Sequence, residues 1–269
     1  MGIPYAEVIG DPIAHSKSPL IHNFWLKKLG IQAEYKATRV AAAELQGYFE
    51  HRQADPDWRG CNLTMPLKTI AVPLLKHSFP TVRAAGAVNT VFRCEDELIG
   101  SNTDLRGTAE PFRDGFGERG SALVIGSGGA ARAAYVCLAA LGFEPIRVMA
   151  RTVNRSFPTY QDLMKFGNWL PLTDSLPPAH LVVNATPIGM IGGPSHDFDL
   201  SRLPPNAIIY DVVYDPLETR LLAEARRRGL RTIDGLTMLV GQAAHAFVHF
   251  FDGDPPREHD AELRELLTR

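Results

Sequence analysis

The spacing of apolar residues changes character along the chain. A short apolar run at 6–9 leads into Gly10-Asp11-Pro12, predicting a strand that enters a turn. Leu20, Ile21, Phe24, Trp25 and Leu29 then recur at helical spacing behind Ser18, read as the N-cap, and Pro19, with Gly30 closing the helix. Residues 34–40 read as strand, 42–52 as helix and 58–64 as strand, and Pro66 is placed to open a further helix. Segments 87–94 and 98–101, joined across Glu95-Asp96, predict a hairpin at the edge of this first unit. From Ala122 the pattern becomes near-continuous apolar runs at 122–126, 146–150, 180–184 and 207–213, separated by helix-length segments. Such runs fit parallel strands covered on both faces. Residues 236–251 are apolar at helical period and are expected to return to the first unit. The predicted fold class is α/β in two lobes with a cleft between them: 1–103 completed by 237–269, and a doubly wound lobe over 104–236.

Composition narrows the function. On a prior of roughly 150 residues per domain, a chain of 269 residues suits two modest domains or one large one. With 28 Lys plus Arg against 30 Asp plus Glu the formal net charge is -2, so no basic field exists to attract nucleic acid or an anionic membrane. Cys61, Cys94 and Cys137 show no C-x-x-C spacing, which argues against a disulfide framework and a zinc site and favours a reducing cytoplasm. No secretory h-region and no run of about 18 apolar residues is present, so a soluble protein is expected.

The strand at 122–125 runs into Gly126-Ser127-Gly128-Gly129-Ala130-Ala131 and a helical stretch, satisfying G-x-G-x-x-A in a strand-to-helix setting. Gly126 permits the tight turn, Gly128 lets backbone approach a pyrophosphate, and Ala131 allows close helix packing. Phosphates would then meet the free amides of the helix start. A glycine-rich turn that binds nothing is the competing reading. The second strand ends in Arg151-Thr152-Val153-Asn154-Arg155, with no acid where NAD sites place one about 20 residues on. Guanidinium groups make paired, charge-assisted bonds to phosphate, so Arg151, Thr152 and Arg155 are expected to clamp a 2′-phosphate, favouring NADP over NAD. The alternative is a solvated pair of surface arginines.

Polar motifs stand at the ends of elements of the first lobe. Ser16-Lys17-Ser18-Pro19 puts two hydroxyls at a helix start, where amides and the dipole favour an anion. Asn62-Leu63-Thr64-Met65-Pro66-Leu67-Lys68 alternates polar and apolar residues and sets a lysine near a helix start, the wrong end for a cation. A lysine held in a cleft can serve in proton transfer. Ala87-Val88-Asn89-Thr90 and Ser101-Asn102-Thr103-Asp104 add neutral donors and one carboxylate. Each motif alone reads equally as a cap, a turn or a solvated side chain. Together they form an inventory for gripping a polyhydroxy acid and moving one proton.

Through these motifs, with Asn184-Ala-Thr186 and Asp234-Gly-Leu-x-Met-Leu-x-x-Gln242, the chain resembles the shikimate dehydrogenase family over nearly its whole length. The resemblance implies a substrate-binding lobe and a Rossmann NADP-binding lobe. It further implies reversible NADPH-dependent reduction of 3-dehydroshikimate to shikimate, a step of aromatic amino acid biosynthesis, in a monomer or homodimer. It assigns proton transfer to Lys68, a substrate hydroxyl to Asp104, and the carboxylate to Ser16 and Ser18. Asn62, Thr64, Asn89, Tyr214 and Gln242 would complete the ring-hydroxyl shell. Gly126, Ser127, Gly128, Gly129, Ala130, Ala150, Arg151, Thr152, Arg155 and Thr186 would hold the cofactor, with Val212 and Gly235 near its nicotinamide end. The chain departs from the family pattern in having Ala150 where many relatives carry Asn, and Leu105-Arg106-Gly107 after Asp104 where relatives often have glycine at once.

Three other readings compete. Quinate-using relatives often carry Leu between the two serines and an acid in the cofactor loop; this chain has Lys17 and no such acid. A catalytically silent NADP-binding regulator would not need the Lys68 and Asp104 pair. His245 and His249 lie four apart but lack the Glu of H-E-x-x-H, so no metal is expected.

Overall fold

The computed structural model describes residues 2–113, 119–152, 155, 157, 160–165 and 167–269, without the side chains of Tyr160 and Asp162. They divide into two compact units, Met1–Thr103 with Val240–Arg269, and Asp104–Leu239.

In the first unit β1 (Tyr5–Gly10), β2 (Glu34–Arg39), β3 (Trp58–Leu63), β4 (His77–Ser78), β5 (Thr90–Cys94) and β6 (Glu97–Ser101) form one sheet in the order β2-β1-β3-β5-β6-β4. β1 runs parallel to β2 and β3, whereas β5 is antiparallel to both β3 and β6. The hairpin turns through Glu95 and Asp96 as its sequence predicts, pairing Cys94 with Glu97. It is not the sheet edge, because the two-residue β4 pairs with β6 outside it. The helices here are α1 (Ser18–Leu29), α2 (Leu45–Gln53), α3 (Leu67–Ile70) and α4 (Pro80–Ala85).

Ser18 is not the N-cap of α1. Lys17 occupies that position, Ser18 is the first helical residue, and the Ser16 hydroxyl accepts the Ser18 amide at 3.3 Å. A serine two residues ahead can reach a helix-start amide just as a cap does. Gly30 ends the helix in the left-handed conformation at φ 66, where glycine avoids the Cβ clash.

Strand alternation sends Ala6 and Val8 to one face of the sheet, with Tyr35, Ala246 and Phe250, and Ile9, Leu63 and Val91 to the other, with Leu45, Phe49 and Leu67. Glu7 is buried in the same strand and is satisfied by two Arg52 bonds at 2.8 and 3.0 Å and by the hydroxyls of Tyr48 and Thr38. A buried carboxylate needs such partners to offset its loss of water.

The second unit carries β7 (Ala122–Ile125), β8 (Ile146–Ala150), β9 (Trp169–Pro171), β10 (Leu181–Asn184), β11 (Ile208–Asp211) and β12 (Arg231–Ile233), in the order β12-β11-β10-β7-β8-β9. Every neighbouring pair is parallel. Its helices are α5 (Asp104–Ala109), α6 (Gly129–Ala140), α7 (Tyr160–Lys165) and α8 (Arg220–Arg227). Leu123, Ile125, Val182 and Ile209 pack against Leu222 and Ala225 of α8, while Val124, Leu181, Val183 and Tyr210 pack against Ala131, Ala134 and Leu138 of α6. Both faces are covered, which explains the continuous apolar runs. The strand order reverses between β7 and β10, and in such sheets ligands bind outside the carboxyl ends of the strands at that switch point.

The helix α9 (Gly235–Phe251) contains the division at Val240, and α10 (Asp260–Leu267) follows it in the first unit. No helix among the described residues is long and apolar enough to cross a membrane.

Candidate functional site

The interior of the first unit holds a network of neutral side chains centred on Asn89, which is buried between β3 and the segment that precedes α5. Its Oδ1 accepts the Thr103 amide at 2.7 Å and the hydroxyls of Thr90 at 3.0 Å and Thr103 at 3.2 Å. Its Nδ2 lies 3.0 Å from Thr103 Oγ1 and donates to Gln242 Oε1 of α9 at 3.4 Å. Asn62, in β3, donates to the Asn89 carbonyl at 3.2 Å and to Thr90 Oγ1 at 3.0 Å, and accepts the Tyr35 hydroxyl at 2.6 Å. Asn62, Asn89 and Gln242 are thus brought together. Both amide hydrogens of Asn62 are taken by the protein, so its first task is to brace the Asn89-Thr90 segment.

Lys68 is the second residue of α3 and half-buried; its carbonyl accepts the Val88 amide at 2.8 Å, which fixes the short helix to the Asn89 segment. Thr64 is half-buried and its carbonyl accepts the Leu67 amide at 2.9 Å, closing the turn into that helix. Ser16 is half-buried and Ser18 buried at the start of α1. Lys17 between them sends its ammonium to the Leu267 carbonyl at 2.6 Å, the favourable end of α10 for a cation. Asp104 follows Thr103 directly, begins α5 and belongs to the second unit, where its side chain is buried. A carboxylate in a first helical turn is stabilised by the dipole.

In the second unit Gly126 follows β7 at φ 119, a conformation that favours glycine, and a Cβ there would meet the Ala185 carbonyl at 2.9 Å and Thr186 Cγ2 at 3.0 Å. Gly126 and Thr186 therefore face each other across the switch point. A Cβ at Gly128 would have no protein atom within 4 Å, so internal packing does not demand glycine there and the backbone is open to close approach. Gly129 and Ala130 form the first turn of α6, and Ala131 is buried. Ala150 ends β8 in the core, and Arg151, Thr152 and Arg155 beyond it are exposed. Val153 and Asn154 lie outside the described residues. Gly235 opens α9 against the Val212 and Val213 carbonyls, where a Cβ would come within 2.5 and 2.4 Å, and Val212 and Tyr214 are half-buried. The glycine turn and an acid-free, arginine-bearing loop at the next strand end fit a dinucleotide carrying a 2′-phosphate.

Two buried charged residues of this unit escaped the sequence reading. Arg132 of α6 is buried, its Nε 3.4 Å from the Ser127 carbonyl and its guanidinium over the Phe157 ring at 5.6 Å; burial lowers its pKa. Asp211 ends β11, and burial pushes its carboxyl up to about 6 against the opposing bonds from Thr219, Val213 and Asn184. The signal for Asp211 was a single acid ending an otherwise apolar buried strand. His249 stacks on Phe92 at 4.4 Å and meets Phe79 edge-on, while His245 is exposed. No group of three or more metal-ligating side chains occurs among the described residues.

A glycine-rich strand-to-helix turn at the switch point of one unit and a shell of neutral donors in the other fit, by class, a nucleotide-dependent dehydrogenase of small polar molecules. Residues 8–91 match the family described as "Shikimate dehydrogenase substrate binding domain". The chain is 46% identical over 266 residues to "Shikimate dehydrogenase (NADP(+))" of Sphingopyxis alaskensis, covering 98% of this chain and 97% of that one. A protein of the same name from Methylobacterium radiotolerans is 44% identical over 275 residues, covering 98% and 96%. Among solved structures, shikimate 5-dehydrogenase of Thermus thermophilus in complex with NADP(H) and shikimate superposes with a TM-score of 0.84 at 34% identity, covering 98% of this chain and 100% of that one. The chain belongs to the shikimate dehydrogenase family.

Proposed function

We propose that the chain catalyses the reversible reduction of 3-dehydroshikimate to shikimate with NADPH, in a reducing cytoplasm where its three free cysteines stay thiols. The observation that carries this reading is the full-length relationship to NADP-dependent shikimate dehydrogenases. When bound, NADPH supplies a hydride to the substrate carbonyl carbon. Lys68 gives a proton to the forming alkoxide in one direction and accepts it in the other, and Asp104 orients the neighbouring hydroxyl. The Ser16 and Ser18 hydroxyls hold the carboxylate. Thr64, Asn89, Tyr214 and Gln242 meet the ring hydroxyls, and Asn62 braces Asn89 among them. Gly126, Ser127, Gly128, Gly129 and Ala130 take the pyrophosphate, Ala150 flanks the adenosine, and Arg151, Thr152 and Arg155 take the 2′-phosphate. Thr186, Val212 and Gly235 take the nicotinamide half. The domain roles follow: 1–103 with the C-terminal helices binds substrate, and the segment from Asp104 into α9 binds NADP.

The test is NADP+ reduction with shikimate and, side by side, with quinate and with NAD+. Turnover with shikimate and NADP+ above the other combinations is expected. Absence of shikimate turnover by the folded protein overturns the reading.

A further inference from the structure

At the end of β11, Asp211 stands in register with Asn184 at the end of β10 and is fully buried. Its Oδ1 accepts Asn184 Nδ2 at 2.9 Å and the Val213 amide at 3.1 Å, and its Oδ2 accepts the Thr219 hydroxyl at 2.7 Å. Asn184 gives its other amide hydrogen to the Ile188 carbonyl at 3.1 Å and accepts the amide and hydroxyl of Thr186 at 3.2 and 2.7 Å. The Thr186 hydroxyl then accepts the Ile188 amide at 3.1 Å. The same two loops meet again where the Ile191 amide donates to the Asp215 carbonyl at 3.1 Å and where a Cβ on Gly189 would come within 3.3 Å of Thr219.

One carboxylate therefore fixes both the loop that carries Thr186 and the loop that carries Val212 and Tyr214. A carboxylate is acceptor-only and can take three donors at once, whereas an amide in its place would turn one donor toward the Thr219 hydroxyl. Packing alone does not call for the residue, since an ionised side chain stripped of water costs stability that an apolar one would not.

We propose that Asp211 is a positioning residue, which through Asn184, Val213 and Thr219 sets the backbone of Thr186 and Val212–Tyr214 for the nicotinamide half of the cofactor without touching it. The inference rests on the NADP-dependent reading above, and it separates the two halves of the cofactor. The adenine half is assigned to Arg151, Thr152 and Arg155 beyond β8, on the other side of β7 in the sheet order.

The test compares Asp211→Asn with wild type for kcat on shikimate, for the emission of bound NADPH, which reports the nicotinamide environment, and for affinity to adenosine 2′,5′-bisphosphate, the adenine half alone. The expected result is a kcat lowered about tenfold, NADPH emission moved toward that of the free cofactor, and bisphosphate affinity held within about twofold. Thr219→Val removes one of the three donors, along with the cap that Thr219 gives the Leu222 amide of α8, and Thr219→Ser restores both. This pair reads the same effect if Asp211→Asn does not fold: a loss in Thr219→Val that Thr219→Ser rescues is expected. Wild-type kcat and NADPH emission in the folded variants would overturn the proposal, as would equal weakening of the bisphosphate and of NADPH. A wild type inactive on shikimate would instead sink the assigned reaction, leaving the binding comparison to decide the role of Asp211.

Discussion

The first unit buries His22 against aromatic rings, while the second buries Asp211 among hydrogen-bond donors. His22 stacks on Tyr35 at 4.0 Å and meets Trp25 edge-on at 5.7 Å, with neither ring nitrogen hydrogen-bonded. Burial lowers its pKa to about 3. Asp211 has three donors and is nevertheless raised to about 6, because burial outweighs them. Loss of water disfavours the charged form in both, but protonation charges a histidine and discharges an aspartate. The same physics thus gives opposite responses to pH. An unfolded chain protonates His22 near pH 6.5, so its contribution to stability is full above that value and falls by about 1.4 kcal/mol per pH unit toward about pH 3. Asp211, with a folded pKa above its unfolded value of about 3.9, costs nothing below that value and lowers stability as pH rises through about 6. His22 contributes shape to a core; Asp211 contributes direction to two loops.

Neither group is assigned chemistry, so the largest effect should fall elsewhere. Lys68→Ala is expected to lower kcat about a thousandfold, within the range for a lost proton donor, with a smaller change in KM for shikimate. Steady-state NADP+ reduction checks this, and an unchanged kcat would remove Lys68 from proton transfer. Next, Arg151→Ala with Arg155→Ala should weaken NADP+ by about 3 kcal/mol, roughly a hundredfold in KM, and leave NAD+ nearly unaffected. Unchanged KM for both cofactors would return these arginines to the solvated surface, and equal losses would move them from the 2′-phosphate to a part the two cofactors share.

The two pH responses come after these, and amide hydrogen exchange can read each unit separately. Protection of β10 and β11 should rise by about 2 kcal/mol from pH 7 to pH 4 through Asp211, an increment that Asp211→Asn abolishes. Protection of α1 and β2 should fall by about 2 kcal/mol between pH 7 and pH 5 through His22, and His22→Leu should flatten that limb. Responses of one sign in both units would break the contrast.

Most of the frame was legible because burial imposes period. The central strands β7, β8, β10 and β11 are covered on both faces and announce themselves as apolar runs, and α1 shows its stripe and its closing Gly30. The elements that escaped are short or peripheral. β4 is His77-Ser78, and β9 and β12 are three-residue edge strands that can remain partly polar. The Rossmann turn was readable because its glycines follow a local strand-to-helix pattern, and at Gly126 the backbone conformation itself favours glycine. Asp211 showed only as a single acid in an apolar run, because its partners Asn184, Val213 and Thr219 converge only once the strands are in register. Asn62 showed its polarity in the sequence but not its direction, which the Tyr35 hydroxyl and the Thr90 side chain settle.

The bond from Lys17 to the Leu267 carbonyl has a practical side. It fastens the residue between the two proposed carboxylate-binding serines to the last turn of α10, so that turn acts as a handle on the Ser16–Ser18 segment. Removal of the turn that carries Leu267 would release Lys17 and is expected to alter shikimate affinity.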